Sequence, residues 1–201
     1  PVNKKRQAKG EIPATMIWLF WGSGKIPALP SFKKKYGLQG TITSAVDLLR
    51  GLGKMSGLEI LDIHGVTDNI DNDYAAQATG ALKAFDSKDM VVIHVEAPDE
   101  AGHNGDLGEK ITAIERFDRL VVGKILDEFK HKKNFRILVL PDHATPVSLR
   151  THTADDVCFG VFGKDIIGKG FLNYSEKEAE KSSIYFKHGH ELMGHFIKGE
   201  F

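Results

Sequence analysis

Three short strings concentrate the residue types that bind divalent cations. They are His94-Val95-Glu96-Ala97-Pro98-Asp99-Glu100-Ala101-Gly102-His103, Leu140-Pro141-Asp142-His143 and Thr151-His152-Thr153. In the first, Pro98 ends an apolar run, and Asp99 and His103 follow in what reads as a loop. Their four-residue spacing brings a carboxylate and an imidazole onto one ion if that segment makes a single turn. In the second, another apolar run stops at Pro141 and delivers an Asp-His pair; His152 lies shortly downstream. The candidate metal ligands are therefore Asp99, His103, Asp142, His143 and His152. Mixed carboxylate and imidazole donors suit Zn, Mn or a related divalent ion better than Ca. Two adjacent cations of this kind clamp a phosphoryl group, activate a nucleophile and stabilise a leaving oxygen.

Each string also has an ordinary reading. Asp99 alone is the acidic residue expected at a helix start, an Asp-His pair in a turn is common surface chemistry, and His152 alone carries no signal. Their coincidence after buried runs carries the metal reading, because open α/β sheets place their sites at the C-terminal ends of strands. His64, His131, His188, His190 and His195 lack a partner at ligand spacing and read as surface, cap or core residues. His94 falls within a strand run and reads as packing. Gly22-Ser23-Gly24-Lys25 lacks the spacing of a phosphate-binding loop, but it forms a turn able to present a cation to an anion.

The elements that must position these residues follow from hydrophobic periodicity. Short buried-looking runs, several of them near-continuously apolar, predict strands over Ala14–Phe20, Gly40–Thr43, Leu58–Ile63, Met90–Val95, Phe135–Leu140 and Val157–Phe162. Ser44 and Asp47 resemble a capping box opening a helix to about Lys54. An Ala-rich helix is expected over Asp73–Phe85. A long one is expected over Gly108–Lys130, where Ile111, Ile114, Phe117, Leu120, Val121, Ile125 and Phe129 recur at three- and four-residue spacing. A final short helix covers His188–Ile197. This alternation predicts an α/β sandwich, with a hinge or domain boundary near Gly22–Pro30.

At 201 residues and 41% hydrophobic content the chain can bury a core and form one main domain. Lys+Arg and Asp+Glu are both 27, a balance that points to neither nucleic acid nor an anionic membrane, so Lys33-Lys34-Lys35 reads as solvated surface. The run Met16–Trp21 is too short to span a bilayer, and no signal peptide is visible. The single Cys158 permits no internal disulfide, which fits a reducing compartment and an expected cytoplasmic location.

The strings HVEAPDEAGH, LPDHATP and THTADDV resemble the C-terminal metal motifs of cofactor-independent phosphoglycerate mutases, in the archaeal-type branch of the alkaline phosphatase superfamily. FWGSGKIPALPSFKKKYGL and SAVDLLRGLGK are similar to the same branch, so the resemblance runs from about Met16 to the C-terminal segment. It implies an alkaline-phosphatase-like three-layer sandwich with a largely parallel sheet, present here as an incomplete, C-terminal part. It also implies two divalent ions (Mn, Zn, Co or Mg), one held by Asp99, His103 and His152 and the other by Asp142 and His143. The nucleophilic Ser and a further Asp are expected outside this chain, in a missing N-terminal half. On this resemblance residues 1–30 are the tail of a transferase insert and 31–201 the second half of the phosphatase-like domain. The substrate is a phosphoglycerate, with Lys25 standing where the branch usually has an Arg that grips its phosphate; Lys offers a point charge rather than a fork. The same metal core also serves phosphomonoesterases and other phosphotransferases, and a non-catalytic α/β module is the third alternative.

Overall fold

The computed structural model describes residues 1–19, 24–168, 170 and 173–201. Its centre is a parallel sheet ordered β2-β1-β3, formed by β1 (Gly40–Thr43), β2 (Glu59–Ile60) and β3 (Met90–Ile93). β1 is buried along its whole length. Its registers, Thr41 opposite Glu59 and Thr43 opposite Ile93, end all three strands on one side. A second, antiparallel pair joins β4 (Arg136–Val139) to β5 (Gly160–Gly163). The expected α/β class with a parallel sheet is thus observed.

Helices connect these strands. α1 (Val2–Ala8) and α2 (Phe32–Tyr36) precede the sheet, and α3 (Asp47–Met55) links β1 to β2. α4 (Tyr74–Ala84) begins where the Asp73 carboxylate accepts the Ala76 N–H, as its sequence predicts. α5 (Ala97–Asn104) and α6 (Leu107–Phe117) follow β3. A π turn (Asp118–Val122) then leads into α7 (Gly123–Phe129), and the short α8 (Glu176–Ala179) and α9 (Leu192–Lys198) close the chain. The main core gathers Tyr74 and Ala78 of α4, Ala97 of α5, Ala113 of α6 and Val121, with Ile93, Val95 and Phe117 packed on it. Its many alanines let helix backbones approach closely. No described helix is long and apolar enough to cross a membrane.

Several sequence expectations need correction. The run from Ala14 through Leu19 is irregular and exposed, and no described strand takes it into a sheet; Phe20 and residues 21–23 lie outside the described residues. The strands over 58–63 and 157–162 shrink to Glu59–Ile60 and shift to Gly160–Gly163. The single helix over 108–130 is divided by the π turn. Its core face is Ala113, Phe117 and Val121, which leaves Ile111 and Ile114 about half exposed. Ser44 caps nothing: α3 starts from Val46 without a side-chain cap.

Candidate metal centre

Asp99 and His103 lie on α5, not in a loop. Pro98 stands in the first turn of that helix, where its missing N–H is no loss, so the residue expected to end the strand also helps to open a helix. Four residues of helix then place both side chains on one face, with Asp99 Oδ2 3.2 Å from His103 Nε2. α5 ends at Gly105, whose φ of 73° is the left-handed C-cap conformation. The Arg150 guanidinium occupies the space that a Cβ at Gly105 would need.

Arg150 has a φ of 54°, unusual for a residue with a Cβ. This turn aims the Arg150 carbonyl at His103 Nδ1, 3.0 Å away, and sends the chain on to His152. An antiparallel bridge, Thr153 N–H to Ala144 carbonyl at 3.0 Å, sets His152 against His143, with ring centroids 3.8 Å apart.

The result is a cluster around one carboxylate. Asp99 Oδ1 lies 3.3 Å from His152 Nε2 and 4.0 Å from His143 Nδ1. His103 Nε2 and His152 Nε2 face each other at 3.0 Å. Asp142 Oδ2 sits 3.4 Å from His143 Nε2. Asp99 is 17% exposed at the side chain, whereas Asp142 is 63% exposed, so the first group is the more enclosed.

Proton accounting shows what this arrangement accepts. A carbonyl only accepts, so His103 Nδ1 carries the proton given to Arg150; in the neutral imidazole, the form that binds metal, the Nε2 lone pair then points towards Asp99. The Thr145 hydroxyl donates to Asp99 Oδ1 and can then accept from His143 Nδ1 at 3.3 Å. That leaves the His143 Nε2 lone pair beside the Asp142 carboxylate. Acceptors aimed at acceptors repel unless a cation or proton lies between them. A carbonyl behind a ligating imidazole is also the usual support for metal binding. The donors therefore fit divalent metal, and those of Asp99, His143 and His152 all lie within 4.8 Å of one another.

A second layer escaped the sequence reading. His94, expected to be packing, has Nδ1 3.0 Å from the buried Ser44 hydroxyl and Nε2 3.3 Å from Glu96 Oε2. Burial pushes the His94 imidazole below its ordinary value. Glu96 is raised to about 7, first by burial and then by the facing carboxylates of Asp99 and Asp142. Lys25 is exposed in irregular backbone and takes no part in this cluster.

The metalloenzyme superfamily matches residues 1–195. The chain belongs to that superfamily. Among its relatives is the 2,3-bisphosphoglycerate-independent phosphoglycerate mutase of Methanothrix thermoacetophila, 42% identical over 200 residues, which cover 99% of this chain and 51% of that protein. A probable enzyme of the same description from Geobacter sulfurreducens is 44% identical over 194 residues, covering 96% and 48%. The chain thus spans about half the length of the curated relatives it matches. Among solved structures, the PH0037 protein from Pyrococcus horikoshii superposes with a TM-score of 0.80 at 26% identity, over 88% of this chain and 52% of that one. The cofactor-independent phosphoglycerate mutase from Thermoplasma acidophilum gives 0.63 at 18% identity, over 100% and 47%, a likeness of fold alone. The resemblance carried by HVEAPDEAGH, LPDHATP and THTADDV is borne out by these relatives.

Proposed function

We propose that this chain forms the metal-binding part of a cofactor-independent phosphoglycerate mutase. The whole protein would interconvert 3-phosphoglycerate and 2-phosphoglycerate through a phosphoserine whose Ser lies outside these 201 residues. The observation that carries the reading is the apposition of acceptors around Asp99: one carboxylate and the Nε2 atoms of His103 and His152 within 3.0–3.3 Å of one another. Two divalent ions, manganese being the first to try, would supply the positive charge that phosphoryl oxygens and an activated hydroxyl require. In this chain Asp99, His103 and His152 would hold one ion, and Asp142 and His143 the other. The Arg150 carbonyl fixes the His103 ring, and Thr145 orients Asp99. Lys25 is proposed as the contact for the substrate phosphate. Residues 1–30 would be the tail of an inserted transferase domain, and 31–201 the second half of the phosphatase-like domain. The missing N-terminal half would complete the site, in the cytoplasm.

The test is a polypeptide that joins this chain to that half, assayed with 3-phosphoglycerate after chelation and after manganese is restored. Metal-dependent formation of 2-phosphoglycerate, abolished by His152→Ala, supports the reading. Release of free phosphate instead identifies a phosphomonoesterase. Robust turnover by the 201-residue chain alone overturns the proposed division of the active site.

A further inference from the structure

Beyond the five ligands, the C-terminal ends of β1 and β3 carry a hydrogen-bonded chain that leads into the metal centre. Ser44, directly after β1, is 2% exposed. Its Oγ accepts the Val46 N–H at 3.0 Å, so its own proton is free to go to His94 Nδ1, also 3.0 Å away. The neutral His94 ring then carries its proton on Nε2 and donates it to Glu96 Oε2 at 3.3 Å. The backbone is fixed as well. The buried Gln77 amide donates to the His94 carbonyl at 2.9 Å, and Asn72 donates to Gln77 at 3.0 Å. This support holds Glu96 so that its carboxylate and those of Asp99 and Glu100 offer oxygens all within 4.8 Å of one another. Of these three carboxylates, Asp99 is the one already assigned to an ion, so Glu96 stands within reach of the same centre. Among the described residues no Lys or Arg forms an ion pair with Glu96, which instead accepts from the neutral His94 ring.

We propose that Glu96 is a further ligand of the metal centre, beside Asp99, and that His94 and Ser44 are positioning residues that aim it. The proposal rests on the two-ion reading. Glu96 supplies negative charge to the ion held at Asp99, and His94, held by Ser44, blocks the rotamers that would turn the carboxylate to solvent.

The experiment is Co(II) binding to the 201-residue chain, followed by equilibrium dialysis and by the d–d absorption of the bound ion. The unsubstituted chain is compared with Glu96→Gln, His94→Phe and His94→Gln. Glu96→Gln should weaken one of the two ions by about 10–100-fold, the range typical of losing a supporting carboxylate, change its absorption band, and leave the other ion as it was. His94→Phe should act in the same direction. His94→Gln should recover much of the loss, since its amide N–H can still donate to Glu96. Thermal melts in EDTA show that each variant is folded before metal is added. Unchanged binding in Glu96→Gln, or equal weakening of both ions, overturns the role of Glu96. Failure of His94→Gln to improve on His94→Phe overturns the positioning role of His94. Absence of any ion from the unsubstituted chain overturns the assignment of Asp99, His103 and His152 as an ion site held within this chain, and this proposal with it.

Discussion

Replacing Glu96 by Gln should make the metal-free protein more stable at alkaline pH. The Glu96 side chain is 21% exposed and faces Asp99 and Asp142, and its carboxyl is raised from an ordinary 4.5 to about 7. A raised acid holds its proton in the folded chain at a pH where the unfolded chain has released it. Between pH 4.5 and 7 the folded state therefore binds more protons, and stability falls as pH rises. The penalty is absent below 4.5 and complete above about 7. At 1.36 kcal/mol per pH unit such a shift corresponds to an upper bound of about 3 kcal/mol. Partial solvent access lowers the expected gain for Glu96→Gln to about 1–2 kcal/mol at pH 8. Gln still accepts the His94 proton, so packing is kept. Urea denaturation in EDTA, at pH 8 and at pH 5, reads this directly. The gain should be present at pH 8 and fall to about a quarter of that at pH 5. No gain at pH 8, or the same gain at both, refutes the reasoning. Seen together with the weaker cobalt binding expected of the same variant, such a gain would show a carboxylate retained at a cost in stability.

Further expectations follow from the same geometry. Ligation needs neutral imidazoles and ionised carboxylates, so the affinity for manganese, measured by calorimetry, should fall steeply from pH 7 to pH 5; a flat profile contradicts His103, His143 and His152 as ligands. Gly102→Ala should loosen the centre without touching a ligand. A Cβ there would come within 2.5 Å of the Thr145 carbonyl and 2.9 Å of Lys110 Nζ, pushing Thr145 from Asp99, so both melting temperature and metal affinity should drop. Arg136 donates to the carbonyls of Lys164 and Ile197, each at 2.7 Å, and pairs with Asp165 at 2.8 Å. Arg136→Met should therefore cost about 3 kcal/mol and lower the melting temperature by roughly 6–12 °C, with metal affinity at 25 °C little changed.

The parts of the fold that were legible in the sequence are those where local pattern and tertiary burial agree. β1 is buried along its length, β3 and most of β4 are apolar and at least partly buried, and α4 carries its own Asp73 cap. Ala14–Leu19 has the same apolar character but no described partner strand, which shows that a run of hydrophobic residues specifies a strand only where another strand accepts its hydrogen bonds. Pro98 was read as a stop and serves as a start, because Pro in a first helical turn and Pro after a strand look alike in one dimension. The π turn left no mark in the three- and four-residue spacing. Asp99 and His103 were legible because four-residue spacing is a helical face whether or not the helix is recognised. Arg150, Thr145 and the Ser44–His94–Glu96 chain were not, since each acts through a backbone turn or a contact between residues about 50 positions apart.

The central claim is that Asp99, His103, Asp142, His143 and His152 hold two divalent ions. Anomalous diffraction at the manganese edge, from crystals grown with Mn(II), tests it most directly. The account predicts two peaks, one within about 2.0–2.3 Å of donors from Asp99, His103 and His152 and one at the same range from Asp142 and His143. No peak at this cluster, or peaks held by other side chains while these five keep their mutual contacts, would contradict it.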